Sequence, residues 1–135
     1  MSESGDAAPE FLAPLREICL ALPETYEEPA WVGVRWRVRK KTFAHIITFD
    51  EWPPDYIVTD PLPGQVTTVT FRAPADEVGA IANAGHPFYK AGWGRDVLGV
   101  ILDGKTDWAE IRELMTESYC VMAPLKLARL VDRPA

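Results

Sequence analysis

Residues 34–49, "VRWRVRKKTFAHIITF", contain the pattern that decides the fold. In the first half, apolar and basic residues alternate, which places Val34, Trp36 and Val38 on one face of a strand and Arg35, Arg37 and Arg39 on the other. Lys40 and Lys41 are predicted to form a tight turn, and a second alternating run follows over 42–49. The segment therefore predicts a β-hairpin whose first strand has one apolar and one basic face.

The rest of the chain predicts helices and further strands around this hairpin. Apolar residues at helical spacing indicate helices over 11–22 and from Asp107 onward, the latter interrupted at Pro124, and Pro74 opens a shorter helix over 73–85. Strands are predicted over 65–72 and 95–104, whereas 23–31 and 50–64 are predicted to be irregular connections. The expected fold class is α+β: a single domain with an antiparallel sheet and helices packed on one face, in helix-strands-helix-strand-helix order.

Length and composition agree with one domain. The chain has 135 residues, 47% of them hydrophobic, which is enough for one core. We expect a flexible polar leader over 1–9, the domain over 10–131 and a tail over 132–135. No long apolar run or export signal is visible, so we expect a cytoplasmic protein that makes no membrane contact.

The charge is distributed unevenly. The formal net charge is −6, yet five cations fall within 35–41 without an acid, which leaves 9 cations against 20 acids elsewhere. We call these five the basic strip: Arg35, Arg37, Arg39, Lys40 and Lys41. One interpretation is a DNA-binding surface, since alternate arginines on a strand lie about 7 Å apart, close to the phosphate spacing of nucleic acid. The other is a solvated outer face whose cations pair with acids of 23–28 or 50–55.

The order of several short motifs resembles that of a known family. "LPETYEEPAW" precedes "WRVRKKTFAHI", "HPFYKAGWGRDVLGVIL" follows, and "DWAEIRELMTESYCVMAPLKLAR" closes the series. Over 10–131 this resembles the MmcQ/YjbR-like family, small bacterial α+β proteins whose fold is compared with CyaY-like and secretion-chaperone-like folds. The resemblance implies a basic-aromatic element at Lys41–Thr42–Phe43, an aromatic turn at His86, Pro87 and Trp93, and DNA binding, with which members are often labelled.

Aromatic residues suggest a second kind of site. The chain has five tryptophans, and Trp31 and Trp52 fall in segments predicted to be loops. A groove beside the hairpin, lined by Trp31, Trp52, Trp93 and His86, is predicted as a site for a peptide or a small apolar ligand.

Catalysis is not predicted from the sequence. His45 and His86 have no nucleophile nearby in sequence, and each is expected to be structural. Cys19 and Cys120 lie far apart in apolar helical patterns, so we expect buried thiols, with no metal site and no cofactor.

Together these patterns predict a small non-catalytic binding protein. DNA bound through the basic hairpin is the first candidate ligand. The alternative is a protein- or small-ligand-binding module with no nucleic-acid role.

Overall fold

A computed structural model describes residues 9–52, 64–92 and 94–131. Within these ranges, ten elements follow one another: α1 (Pro9–Leu20), β1 (Tyr26–Pro29), β2 (Val34–Val38), β3 (Lys41–Phe49), β4 (Val66–Arg72), α2 (Val78–Ala82), β5 (Phe88–Lys90), β6 (Val97–Leu102), α3 (Trp108–Met122) and α4 (Leu125–Ala128). The predicted tail 132–135 lies outside the described residues, as does the predicted leader except for Pro9, which begins α1.

The strands form one antiparallel sheet in the order β1-β2-β3-β4-β6-β5. All four helices contribute to a single core cluster on one face of this sheet, which contains Trp36, Ile46, Val69, Val100 and Met115. We call the opposite side the open face. The predicted α+β class, with an antiparallel sheet and helices on one face, is confirmed.

The hairpin turn differs by one residue from the prediction. Arg39 and Lys40 both have positive φ angles, 48° and 66°, and Val38 pairs with Lys41 across them. Two successive positive φ values are typical of a two-residue hairpin turn, because that turn matches the right-handed twist of the strands. Arg39 is therefore a turn residue and not part of the basic strand face, and Lys41 is the first residue of β3.

A β-bulge in β3 changes which residues face the helices. Trp36 pairs with Ala44 but Arg37 pairs with Thr42, so Phe43 is an extra residue on β3. Phe43 and Ala44 both join the helix-side core, whereas His45 lies opposite Arg35 and Thr70 on the open face. The regular alternation predicted over 42–49 is therefore broken at Phe43, because the extra residue changes the face of every residue that follows it.

Ser118 of α3 bridges the sheet at this bulge. Its hydroxyl donates to the Phe43 carbonyl (2.5 Å) and accepts from the Arg72 amide (2.7 Å). Direct pairing of β3 with β4 ends at Ala44 and Phe71, so the hydroxyl takes the place of the next ladder hydrogen bond. Because Ser118 is fully buried, these two backbone groups depend on it for their hydrogen bonds.

The acidic segment 23–31 is more regular than predicted, because 26–29 form the edge strand β1. Pro29 ends the strand, a position where a missing amide removes little from the ladder. Glu27 points to the helix side, where Arg16 of α1 binds it through two nitrogens (2.8 and 2.9 Å) and the Trp36 indole donates to it (2.9 Å). Glu28 therefore points to the open face, since neighbouring residues of a strand alternate.

The other predicted elements are present with altered bounds. The helix after Pro74 covers only Val78–Ala82, while β5 was predicted as part of a turn. α3 begins at the predicted place, where Asp107 caps it by accepting from the amides of Ala109 and Glu110, and Pro124 separates α3 from α4.

A smaller cluster covers part of the open face. Tyr89 of β5 lies over Gly99 of β6, and a Cβ on Gly99 would come within 2.1 Å of the ring. The Tyr89 hydroxyl donates to Thr68 (2.7 Å), and Trp52 packs edge-on against the same ring, with centroids 4.8 Å apart. The open face is thus apolar and filled on its β4-β6-β5 side.

We expect Ser118→Ala to lower the free energy of unfolding by about 2–4 kcal/mol, because two buried backbone groups lose their partner. Chemical denaturation measures the change. Thr116→Ala is the matched control, since that hydroxyl bonds only to the Arg112 carbonyl of its own helix and its loss should cost less than about 1 kcal/mol. Equal effects of the two substitutions would contradict a bridging role for Ser118.

A second prediction concerns Glu27 and acid stability. The hydrogen bonds from Arg16, supported by that from Trp36, hold the pKa of Glu27 below its ordinary value of 4.5, although burial opposes the shift. The folded protein therefore binds this proton more weakly than the unfolded chain, so the stabilisation is present above about pH 4.5 and is lost as the pH falls through the lowered pKa. Wild type should exceed Glu27→Gln in free energy of unfolding at neutral pH, and the gap should close in acid.

Denaturation of both proteins between about pH 3 and pH 7 tests this linkage. Glu113→Gln, at an exposed position on α3, serves as the control for loss of one acid. A gap that stays constant with pH would show that the Glu27 effect is not ionic.

Candidate functional site

The β1-β2 register brings an acid to the basic strip. Tyr26 pairs with Arg37 and Glu28 pairs with Arg35, so Glu28 lies between the two arginines on the open face. One of its oxygens, Oε1, contacts both Arg35 Nη2 and Arg37 Nη1, the latter at 2.9 Å. The hydrogen bond from Arg37, with that from Arg35, lowers the pKa of Glu28 against the opposing effect of burial, so the carboxylate is ionised at neutral pH.

The rest of the strip lies around the turn. Arg39 pairs with Glu24 at 3.0 Å, whereas Arg37 also donates to the Lys40 carbonyl. Lys40 and Lys41 are exposed, and neither ammonium has an acidic partner among the residues that the structure describes. Three of the five cations are thus paired with two acids of the segment 23–28, and two lysines are left at the tip.

A concavity of about 550 Å³ lies beside the hairpin, and its lining combines an exposed tryptophan with cations. We call it the strip concavity. Its described lining is Ala30, Trp31, Arg35, Lys41, Thr42, His45, Arg72 and Met122. None of these eight residues is acidic, although Arg35 and Arg72 are paired with Glu28 and Asp96. The concavity is therefore locally positive on a protein of net charge −6.

Trp31 is the most exposed large apolar residue of this region. It lies in the turn between β1 and β2, where the Ala30 amide donates to the Gly33 carbonyl (3.1 Å), and its side chain is 100% exposed. An indole held in solvent by a tight turn has its full face open to a ligand, with the cations of the concavity beside it.

His45 lines the concavity, and its ring is oriented by a backbone carbonyl. Its Nε2 lies 2.6 Å from the Val32 carbonyl, to which the protonated nitrogen donates. Burial lowers the pKa of His45, so the ring is neutral at neutral pH and its Nδ1 is a hydrogen-bond acceptor.

Two other members of the predicted aromatic groove, Trp52 and His86, are not brought together with Trp31. Trp52 packs against Phe49 and Tyr89 in the smaller cluster of the open face. His86 is exposed and lines a different cavity, of about 290 Å³, between β6 and the start of α3. Trp93 lies outside the described residues.

Four residues of the concavity were not assigned to a site from the sequence: Ala30, His45, Arg72 and Met122. Arg72 and Met122 are distant in sequence and enter through the β3-β4 pairing and the end of α3. From the sequence, Glu28 was one of several acids near the basic strip. The register of β1, a strand that the sequence did not predict, decides which acid meets which arginine.

Comparison with known families agrees with this architecture. The YjbR family model matches residues 20–121, from the end of α1 to the last turn of α3. The chain belongs to the YjbR family. No curated protein matches the sequence. The resemblance seen in the sequence is therefore confirmed at the level of the family.

A solved structure shares the fold of this chain. The crystal structure of a protein from Pseudomonas syringae, a structural genomics target, matches with a TM-score of 0.61. The match covers 86% of this chain and 98% of that chain at 15% sequence identity. An identity this low shows a shared fold alone.

The basic-aromatic element that the family resemblance implied lies at the bulge of this YjbR-family chain. Lys41 begins β3, Thr42 lines the strip concavity, and Phe43 is the extra residue whose ring packs edge-on against Tyr119, with centroids 5.6 Å apart. Only the first two can contact a ligand, because Phe43 is buried.

Proposed function

We propose that this YjbR-family protein is a non-catalytic binding protein whose binding surface is the strip concavity. The ligand class that fits is an anion with a planar or apolar part. The observation that carries the proposal is the fully exposed Trp31 beside Arg35 and Lys41 in one concavity.

Exposure of the apolar Trp31 indole to water is unfavourable in free energy. A ligand face laid on the indole removes apolar area from water on both sides, and stacking on one aromatic ring contributes about 1–3 kcal/mol where it has been measured with nucleic-acid bases. The negative part of the ligand would be attracted by Lys41, which has no acidic partner in the described part of the chain, and by the locally positive lining. The two contributions together favour amphipathic anions over simple salts.

The side chains of the concavity can bind a ligand through charge, hydrogen bonds and stacking. Arg35 and Lys41 supply charge and hydrogen-bond donors, and Trp31 supplies a stacking surface. The Nε2 of His45 is engaged by the Val32 carbonyl, so that nitrogen serves to orient the ring. These roles support the proposal that the protein binds its ligand without transforming it.

We also propose a cytoplasmic location. Cys19 is a buried free thiol, and burial raises its pKa, which makes it unreactive. A buried reduced thiol fits a reducing compartment. Along the described residues, no helix is both long and apolar enough to cross a membrane.

DNA is the second candidate ligand, and a specific observation favours it. Lys40 and Lys41 stand exposed at the tip of a hairpin, a shape that can reach phosphates or enter a groove. Against it, Arg35, Arg37 and Arg39 are already paired with acids, and the net charge of −6 opposes long-range attraction. A duplex would therefore be held by few phosphate contacts.

The leading proposal predicts that Trp31→Ala weakens binding of an aromatic anion. With 8-anilinonaphthalene-1-sulfonate as the probe, the wild-type protein should show saturable fluorescence enhancement, and Trp31→Ala should raise Kd by about tenfold because the stacking surface is lost. Leu125→Ala is the matched control, since it removes another exposed apolar side chain, 64% exposed, on α4. Thermal denaturation should show unchanged stability for both variants. An equal Kd for wild type and Trp31→Ala would contradict the proposal.

The second candidate predicts weak, salt-dependent binding of duplex DNA. Because few phosphates are contacted, Kd should be about micromolar or weaker at low salt, and Lys40→Gln with Lys41→Gln should flatten the log–log salt slope by about two. Fluorescence anisotropy of a labelled duplex measures both quantities. Lys126→Gln with Arg129→Gln, at exposed positions of α4 and its end, is the control for loss of two charges. No binding by the wild type at low salt would remove DNA as a candidate.

A further inference from the structure

One carboxylate and two guanidinium groups form an unusual arrangement on the open face. Arg35 and Arg37 converge on a single oxygen of Glu28, at Nη2 and Nη1 respectively. A carboxylate can accept up to four hydrogen bonds through its two oxygens, and each guanidinium has five N–H donors. This contact therefore uses only a small part of the hydrogen-bonding capacity of the carboxylate and of the two guanidinium groups.

The unused donors lie on the arginines. The buried Nε atoms of Arg35 and Arg37 have no hydrogen-bond acceptor within the described residues. A shielded donor without an acceptor is unfavourable, so the two side chains would gain from a rearrangement that supplies more acceptor oxygens. Glu28 alone does not satisfy the pair.

Glu28 is placed where it can be displaced. It belongs to β1, the edge strand of the sheet, and its side chain is 31% exposed. Its backbone is held by pairing with Arg35 of β2, but the side chain can rotate into solvent without breaking that pairing. Partly exposed ion pairs of this kind contribute little to stability. Replacement of the Glu28 carboxylate by another carboxylate at the two arginines therefore costs little free energy.

One of these two arginines borders the strip concavity, and the other is next to it. Arg35 lines it directly, together with Trp31, and Arg37 is joined to Arg35 through Glu28. A ligand on Trp31 that carries a carboxylate would therefore have the Arg35–Arg37 pair within its surroundings, with Glu28 as its competitor.

We propose that Arg35 and Arg37 form a carboxylate-binding site which Glu28 occupies in the free protein, and that the ligand is an acidic peptide segment. The peptide's Asp or Glu side chain replaces Glu28, and a neighbouring apolar residue covers Trp31. This inference rests on the proposed function. A carboxylate is assigned because the site already holds one, from a residue on a β-strand, and a peptide is assigned because it can present an acid and an apolar side chain together.

The test substitutes Glu28, which competes with the peptide carboxylate for the two arginines, and leaves the fold intact. Glu28→Gln retains the shape of the side chain but binds two guanidinium groups weakly, so the affinity for the blocked peptide acetyl-Glu-Ala-Phe-amide should rise by about tenfold over wild type. Isothermal titration calorimetry at low salt gives Kd. Glu24→Gln is the matched control, because it removes the same charge and frees Arg39, which lies in the turn and does not line the concavity. Its effect should stay below about twofold.

Two further arms identify the ligand chemistry. Acetyl-Gln-Ala-Phe-amide, which lacks the carboxylate, should not gain affinity from Glu28→Gln, and Arg35→Gln added to Glu28→Gln should abolish the gain. Tighter binding of inorganic phosphate than of the acidic peptide to Glu28→Gln would overturn the peptide assignment. Equal gains for Glu28→Gln and Glu24→Gln would show a general charge effect and overturn the site. If Glu28→Gln does not fold, as judged by circular dichroism, Glu28→Ala replaces it under the same expectations.

The failure of this inference is distinguishable from the failure of the proposed function. If binding depends on Trp31 but does not respond to Glu28→Gln, the carboxylate site is wrong and the strip concavity stands. If the peptide gains affinity from Glu28→Gln but is indifferent to Trp31→Ala, the carboxylate site stands and the role of Trp31 is wrong.

Discussion

The fold depends on the hydroxyl of Ser118, which bridges β3 and β4 from within α3. A helix normally meets a sheet through apolar side chains, whose packing tolerates small shifts. Here a buried hydroxyl also completes the sheet's own hydrogen bonding, so the position of α3 is fixed relative to the bulge at Phe43. Beyond that point β3 no longer pairs with β4, and the hairpin tip with Arg39, Lys40 and Lys41 extends past the body of the sheet.

This geometry explains why a basic strip is compatible with an acidic protein. The cations of the strip are paired largely with nearby acids, because Glu24 just before β1 and Glu28 within it meet the arginines of the adjacent turn and strand. Such pairs contribute little to stability at the surface, but they change which ligands the strip can bind. Paired arginines are poor sites for long-range attraction of a polyanion and are suited to exchange with another acid at short range.

The two faces of the sheet have different roles. The helix side holds the main core, whose burial provides the stability of the domain. On the open face, Tyr89 and Trp52 fill the β4-β6-β5 side, which leaves the β2-β3 side as the place where polar and exposed aromatic groups collect. The open-face residues of β1 and β2 and the residues of the hairpin turn can therefore vary without disturbing the core, whereas Trp36 and Val38 of β2 belong to it.

The sequence by itself determined the α+β class, the hairpin, the start of α3 at Asp107 and the family, because these follow from periodicity, turn residues and motif order, which are local properties. It did not determine that 26–29 form a strand or that Phe43 is a bulge, since an edge strand of two acids and a proline has no apolar alternation to detect. The candidate site was predicted in part: Trp31, Arg35 and Lys41 were identified, but in two separate sites. Only the tertiary structure joined them and brought in Glu28, His45 and Arg72, because strand register and long-range pairing decide which side chains share a face.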